Sequence, residues 1–229
     1  IRDCQADQGG GLFCLATGMV RSCGISNNLV LTGGGGAVCY QGGTLDDCTM
    51  AGNSADTGGG LYFDGGGVFR NGRVTGNRTT NDGAGVFLSG GLVLASVIAG
   101  NSAGGYGGGG NLYGGVLEDC RISSNSAQYG GGAALLWSDS AAVTNCLIYG
   151  NNATADGGGV YCDWGGTLQN ATVCSNSAAD AGGGIYCDWG GNVGNTIAYS
   201  NRAGTNGANW DTNGSYCAFR YSCSFPLMP

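Results

Sequence analysis

An asparagine recurs every 24 to 26 residues along most of this chain: Asn28, Asn53, Asn77, Asn101, Asn125, Asn151, Asn176 and Asn201. An apolar residue stands three places before each of the first seven (Ile25, Met50, Val74, Ile98, Ile122, Ile148 and Val173), and Ala198 takes that place before the last. A glycine cluster follows seven or eight residues later, as in Gly58-Gly59-Gly60 and Gly182-Gly183-Gly184. Self-similarity at one fixed period identifies a repeat architecture. The period is too short for two helices with loops, and its glycines would break both.

Between the glycine turns lie short apolar runs such as Leu61-Tyr62-Phe63, Val160-Tyr161-Cys162 and Ile185-Tyr186-Cys187, which read as strands. Their first and third residues share a face. A second apolar column lies eight residues before each asparagine, from Val20 and Leu45 to Leu168 and Val193. A third is the column three before it. A small column follows two after it, from Val30 and Ala55 to Ala178 and Ala203. Inward columns at four points of each circuit place the backbone around a narrow core, and each circuit must stack on the next to bury it. The pattern predicts an all-β fold: a single-stranded parallel β-helix of about eight to nine rungs, right-handed by the crossover rule. We assign residues 1–206 to the repeats and residues 207–229, where the pattern fades, to a tail that caps the rod or joins it to another. The asparagines form a structural ladder in this reading, each amide bonding to the rungs above and below.

Composition excludes several functions. Glycine, at 51 copies, does not recur every third residue, so the chain is not collagen. The net charge is −7 with no histidine, and the eight basic residues, all arginine, are scattered singly. No basic stripe exists for nucleic acid, and no apolar run is long enough to insert in a membrane. The opening Ile1-Arg2-Asp3-Cys4 has neither an initiator methionine nor a signal-like segment, which predicts a mature or excised product.

Four pairs of the 12 cysteines occupy one column of neighbouring repeats: Cys14 with Cys39, Cys23 with Cys48, Cys120 with Cys146, and Cys162 with Cys187. We read them as rung-to-rung disulfides of an oxidising compartment, with Cys217 and Cys223 closing a small loop. The alternative is that they pack as free, small apolar side chains. Cys4 and Cys174 have no evident partner.

The pairing of Gly-Gly-Gly-apolar with apolar-x-x-Asn resembles the twin repeats of the chlamydial polymorphic outer-membrane proteins, GGA[ILV] and FxxN. It is similar, more closely, to right-handed β-helix surface proteins of environmental bacteria. Asn53-Ser54-Ala55-Asp56-Thr57-Gly58-Gly59-Gly60 and Asn176-Ser177-Ala178 through Gly184-Ile185-Tyr186-Cys187 carry the resemblance, and the ending Tyr221 to Pro229 is similar to the close of such domains. Phenylalanine of FxxN is replaced here by Ile, Val or Met. The resemblance implies an extracellular or bacterial cell-surface protein acting in adhesion or as a surface structure.

The chemistry-bearing residues follow the same repeat. Asp64, Asp163 and Asp188 each stand four places beyond a glycine triplet, and Asp163 and Asp188 belong to identical Cys-Asp-Trp-Gly-Gly segments. Paired acids suit a retaining glycosidase. Without histidine or lysine, however, acid–base chemistry would rest on aspartates alone, so we expect no enzyme and no cofactor. An acidic turn column, Asp7, Asp56, Asp82, Asp156 and Asp180, could collect surface calcium or simply be solvated. The middle strand residues, Phe13, Val38, Tyr62, Phe87, Leu112, Tyr161 and Tyr186, should face outward, with Trp164 and Trp189 beside them. Such a stripe could stack glycans, pack on another copy, or lie under the tail. The leading expectation is a structural rod that associates with itself end to end. A carbohydrate-binding adhesin comes second and a polysaccharide-degrading enzyme third. Asn77, Asn152, Asn170 and Asn213 begin glycosylation sequons.

Overall fold

The computed structural model describes residues 1–213 and 216–225. Its strands form four parallel sheets of nine strands each, and the chain visits them in rotation. We number the sheets by their first strands: sheet 1 begins with Gln5–Ala6, sheet 2 with Leu12–Leu15, sheet 3 with Met19–Arg21 and sheet 4 with Gly24–Ser26. One circuit is a rung, and every strand pairs in parallel with its counterparts on the neighbouring rungs. The molecule is the single-stranded parallel β-solenoid that the period predicts.

The columns stack in the expected register. Leu45, Phe69 and Val93 align in sheet 3, Met50, Val74 and Ile98 in sheet 4, and Ala55, Thr79 and Ala103 in sheet 1. Leu61 and Phe63 point inward from sheet 2, and Phe63 and Phe69 are the largest of the side chains with no exposure. Burying a side chain of this size stabilises by about 1.5–3 kcal/mol, so the core columns supply the main driving force.

The corners are left-handed. Gly58, Gly83, Gly157 and Gly182 turn sheet 1 into sheet 2 at φ between 60° and 68°. The glycines that follow are required by contact: a Cβ on Gly60 would lie 2.6 Å from the Gly85 carbonyl oxygen and 2.9 Å from Asn77 Nδ2. Only hydrogen allows rungs to approach this closely at that corner.

The asparagine ladder is continuous. Asn125 is typical: its Nδ2 donates to Asn151 Oδ1 and to the Ile98 carbonyl (both 3.0 Å), and its Oδ1 accepts from the backbone N–H and Nδ2 of Asn101 (both 2.9 Å). The ladder begins at the Cys4 N–H, which donates to Asn28 Oδ1. At its other end Asn201 donates to Asn209 Oδ1, so a residue only eight places on continues the column. Trp210–Asn213, Cys217–Arg220 and Cys223–Phe225 add a final strand to sheets 2, 3 and 4, so the described part of the 207–229 tail extends the solenoid. Residues 214, 215 and 226–229 lie outside the described residues.

The disulfide expectation is corrected: all twelve cysteines are thiols. Cys14 and Cys39, and Cys162 and Cys187, are register partners as expected, and Cys146 lies within reach of the Cys120 backbone N–H (3.4 Å). In-register side chains on adjacent parallel strands point the same way at the strand spacing of about 4.8 Å. A disulfide needs Cβ atoms about 3.5–4.5 Å apart, so stacking in one column works against the bond. Cys23 and Cys48 sit side by side in the same manner; burial, with Cys23 and Asp47 adding, raises the Cys48 thiol. Burial and the adjacent Cys14 push Cys39 up to about 12. Cys217 turns away from Cys223, which lies in another sheet, and donates instead to the Gly190 and Cys187 carbonyls (3.3 and 3.5 Å).

Candidate functional site

Charged and aromatic side chains gather on the outer face of sheet 2. Strand alternation turns Tyr62 and Asp64 outward while Leu61 and Phe63 fill the core. The same alternation presents Tyr161 with Asp163, Tyr186 with Asp188, and Asp211 on the final strand. Asp7, Asp56, Asp82, Asp156 and Asp180 lie at the corner entering this sheet, and Asp139 at the corner leaving it. By contrast, the eight arginines all lie on sheets 1, 3 and 4: Arg78 and Arg202, then Arg21, Arg70 and Arg220, then Arg2, Arg73 and Arg121.

The outward column differs from the sequence reading at one rung. Phe87 aligns with Asn111, and Leu88 with Leu112, so Leu112 points into the core. The column is also less exposed than a bare stripe. Val38 and Tyr161 are buried, and Tyr62, Phe87 and Tyr186 are half-buried. Tyr106 and Tyr129, in the preceding corner, stack on each other at 5.0 Å and lean against Tyr161 at 5.8 and 5.2 Å. With Ala134 and Leu136 they make a small second core outside the solenoid.

Trp164 and Trp189 are exposed as expected, and Trp137 extends them into a ladder with centroids 6.1 and 5.7 Å apart and ring planes within 18° and 14°. All three occupy a left-handed corner at φ 57° to 60°, a conformation that bulky residues rarely adopt. The three rings remain 48–65% exposed despite the stacking.

Asp163 and Asp188 are register partners, as their shared segment predicts. Tyr161 Oη donates to Asp188 Oδ2 (3.2 Å), and Asn213 Nδ2 to Asp188 Oδ1 (3.1 Å). Asp163 is 8% exposed, with Oδ1 buried and lacking a hydrogen bond. Burial, then the Asp188 charge, pushes its carboxyl up to about 6. The same two causes hold the Tyr161 hydroxyl firmly protonated. Asp64 does not join the pair. The rungs of Ser89, Tyr113 and Leu136 intervene, and Asp64 accepts from Ser89 Oγ (3.1 Å).

The acidic corner column ties rungs together. Asp82 Oδ1 accepts the Tyr106 N–H (2.8 Å), Asp156 Oδ1 the Ala181 N–H (2.9 Å), and Asp56 Oδ1 the Thr80 hydroxyl and Asn81 amide (2.5 and 2.8 Å). Among the described residues no group of three or more Cys, Asp or Glu side chains is disposed to hold a metal ion. Of the sequon asparagines, Asn77 is fully buried in the ladder, while Asn152, Asn170 and Asn213 are exposed.

Residues 170–188 match the Chlamydia polymorphic membrane protein repeat. This is the segment that carries one strand each of sheets 4, 1 and 2, from Thr172–Cys174 to Ile185–Asp188. No curated protein and no solved structure matches the chain. The matched repeat and the nine-stranded parallel sheets together fit a β-helix repeat surface protein. The repeat's family is associated with the cell surface or outer membrane.

Proposed function

We propose that this chain is a structural rod of the cell surface whose terminal rungs pair with those of a second copy, end to end. The observation that carries this reading is an apolar cavity at the last described rung. Ile185, Val193, Ala198, Trp210 and Phe219 line a cavity of about 240 Å³ there, with Trp210 and Phe219 in ring contact at 4.4 Å. At the opposite rung Leu15 and Met19 are exposed on the outer faces of the first strands of sheets 2 and 3. Among the described residues no further strand pairs with these terminal edges; such edges invite another chain, and a head-to-tail contact that does not close makes a filament.

The glycan-binding reading keeps the exposed tryptophans in its favour, but Tyr161 of the expected stripe is buried and Tyr62, Phe87 and Tyr186 are half-buried. An enzyme has the paired carboxylates in its favour, but Asp163 is buried beside Tyr161. The test is sedimentation velocity over a concentration range, comparing the natural chain with Phe219→Asp. Growth of long species that the substitution abolishes supports the rod; a natural chain that stays monomeric throughout refutes it.

A further inference from the structure

The segregation of charge singles out one part of sheet 2. Most of the 15 acidic residues lie on this sheet or its flanking corners, and none of the eight arginines does. A face of one sign has a partner of the other sign as its natural complement. Within it, the outward column carries a ring at Phe13, Tyr62 and Phe87 but a small side chain at Val38. Tyr62 stacks on Phe87 with centroids 4.9 Å apart and planes within 4°. Its other face borders the rung of Val38, where a cleft of about 460 Å³ opens, lined by Val38, Tyr40, Tyr62, Asp56 and Asp82 among others. Gly33 keeps the space clear, since a Cβ there would reach the Tyr62 ring at 3.4 Å.

We propose that this cleft binds an organic cation: an ammonium or guanidinium group on an aliphatic stem. The free face of Tyr62 supplies a cation–π contact. Asp56 and Asp82 supply the opposing charge, and Val38 accepts the stem. Burial, with Asp56 nearby, already raises the Asp82 carboxyl, and a bound cation would relieve that repulsion. A neutral sugar would give no reason for arginine to avoid the face, and an anion would be repelled by it.

Calorimetric titration with two probes, spermidine and an acetylated, amidated arginine–glycine pentapeptide, tests the site. Asp56→Asn with Asp82→Asn keeps the acceptor oxygens that hold Thr80, Asn81 and Tyr106, so the fold should survive, as thermal melts would verify. We expect the double variant and Tyr62→Leu each to weaken binding about tenfold or more, roughly the loss of one cation–π or partly buried ion contact. Asp180→Asn with Asp211→Asn, which removes equal charge from the same face outside the cleft, should leave affinity within about twofold. Binding of spermidine alone assigns a free polyamine, and preference for the peptide assigns basic side chains of a protein partner. The proposal is overturned if neither probe binds, if both pairs of substitutions weaken binding equally, or if cellohexaose binds as tightly as the cations.

Discussion

Replacing Asn125 with alanine removes one link from the middle of the ladder, and the structure sets the size of the effect. Asn125 is 1% exposed and makes four side-chain hydrogen bonds, two donated and two accepted. Its loss leaves the Asn101 N–H without an acceptor and the Ile98 carbonyl without that donor, both in a dry interior. Asn101 Nδ2 keeps its bond to the Val74 carbonyl, and Asn151 Oδ1 keeps the Asn125 N–H, so these two groups lose less. An orphaned buried group costs about 1–3 kcal/mol and a net hydrogen bond about 0.5–1.5 kcal/mol. Two of each give a destabilisation of about 3–9 kcal/mol. Asn170 provides the contrast: it bonds Asn145 and Asn195 in an exposed ladder where water can replace each bond, so its change to alanine should cost only about 1–2 kcal/mol, mainly from placing alanine at a left-handed φ of 53°. Urea unfolding followed by far-ultraviolet circular dichroism measures both, with the slope checked because solenoids can unfold in parts. Equal losses for Asn125→Ala and Asn170→Ala would refute the claim that the inner ladder holds the rungs.

Three further outcomes are expected. Thiol titration of the denatured, non-reduced protein should find all twelve cysteines reactive, whereas rung-to-rung disulfides would remove them in pairs. Gly60→Ala should destabilise by several kcal/mol, because its Cβ would clash with a carbonyl on the next rung, while Gly24→Ala, with nothing within 4 Å, should be nearly silent in the same melt. Asp163 binds its proton more tightly folded than unfolded, so it contributes least stability above about pH 6, where the buried carboxyl must ionise. Asp163→Asn should therefore be more stable than the natural chain at pH 8 and lose that advantage as the pH falls through 6 towards 4, in melts at each pH; an advantage that grows on acidification would contradict the assignment.

What the sequence made legible is what repeats. The inner columns, the asparagine ladder and the Asp163–Asp188 pairing all follow from period and alternation. Leu112 was misplaced because its rung carries four glycines, Gly107 to Gly110, and the strand starts on the last of them. Asn209 escaped because it continues the ladder eight residues after Asn201, off the period. Tyr106 and Tyr129 each directly precede a glycine cluster and could have been found as a column; Trp137 lacks the Asp-Trp-Gly-Gly context of Trp164 and Trp189. Spacing put cysteines in register but could not report the Cβ separation that decides a disulfide. Charge segregation was invisible until each arginine had a sheet.

Electron microscopy of the purified chain across a concentration range tests the rod most directly. Nine rungs at about 4.8 Å predict filaments with an axial repeat of about 43 Å, lost in Phe219→Asp. Short, separate rods at every concentration would contradict end-to-end assembly.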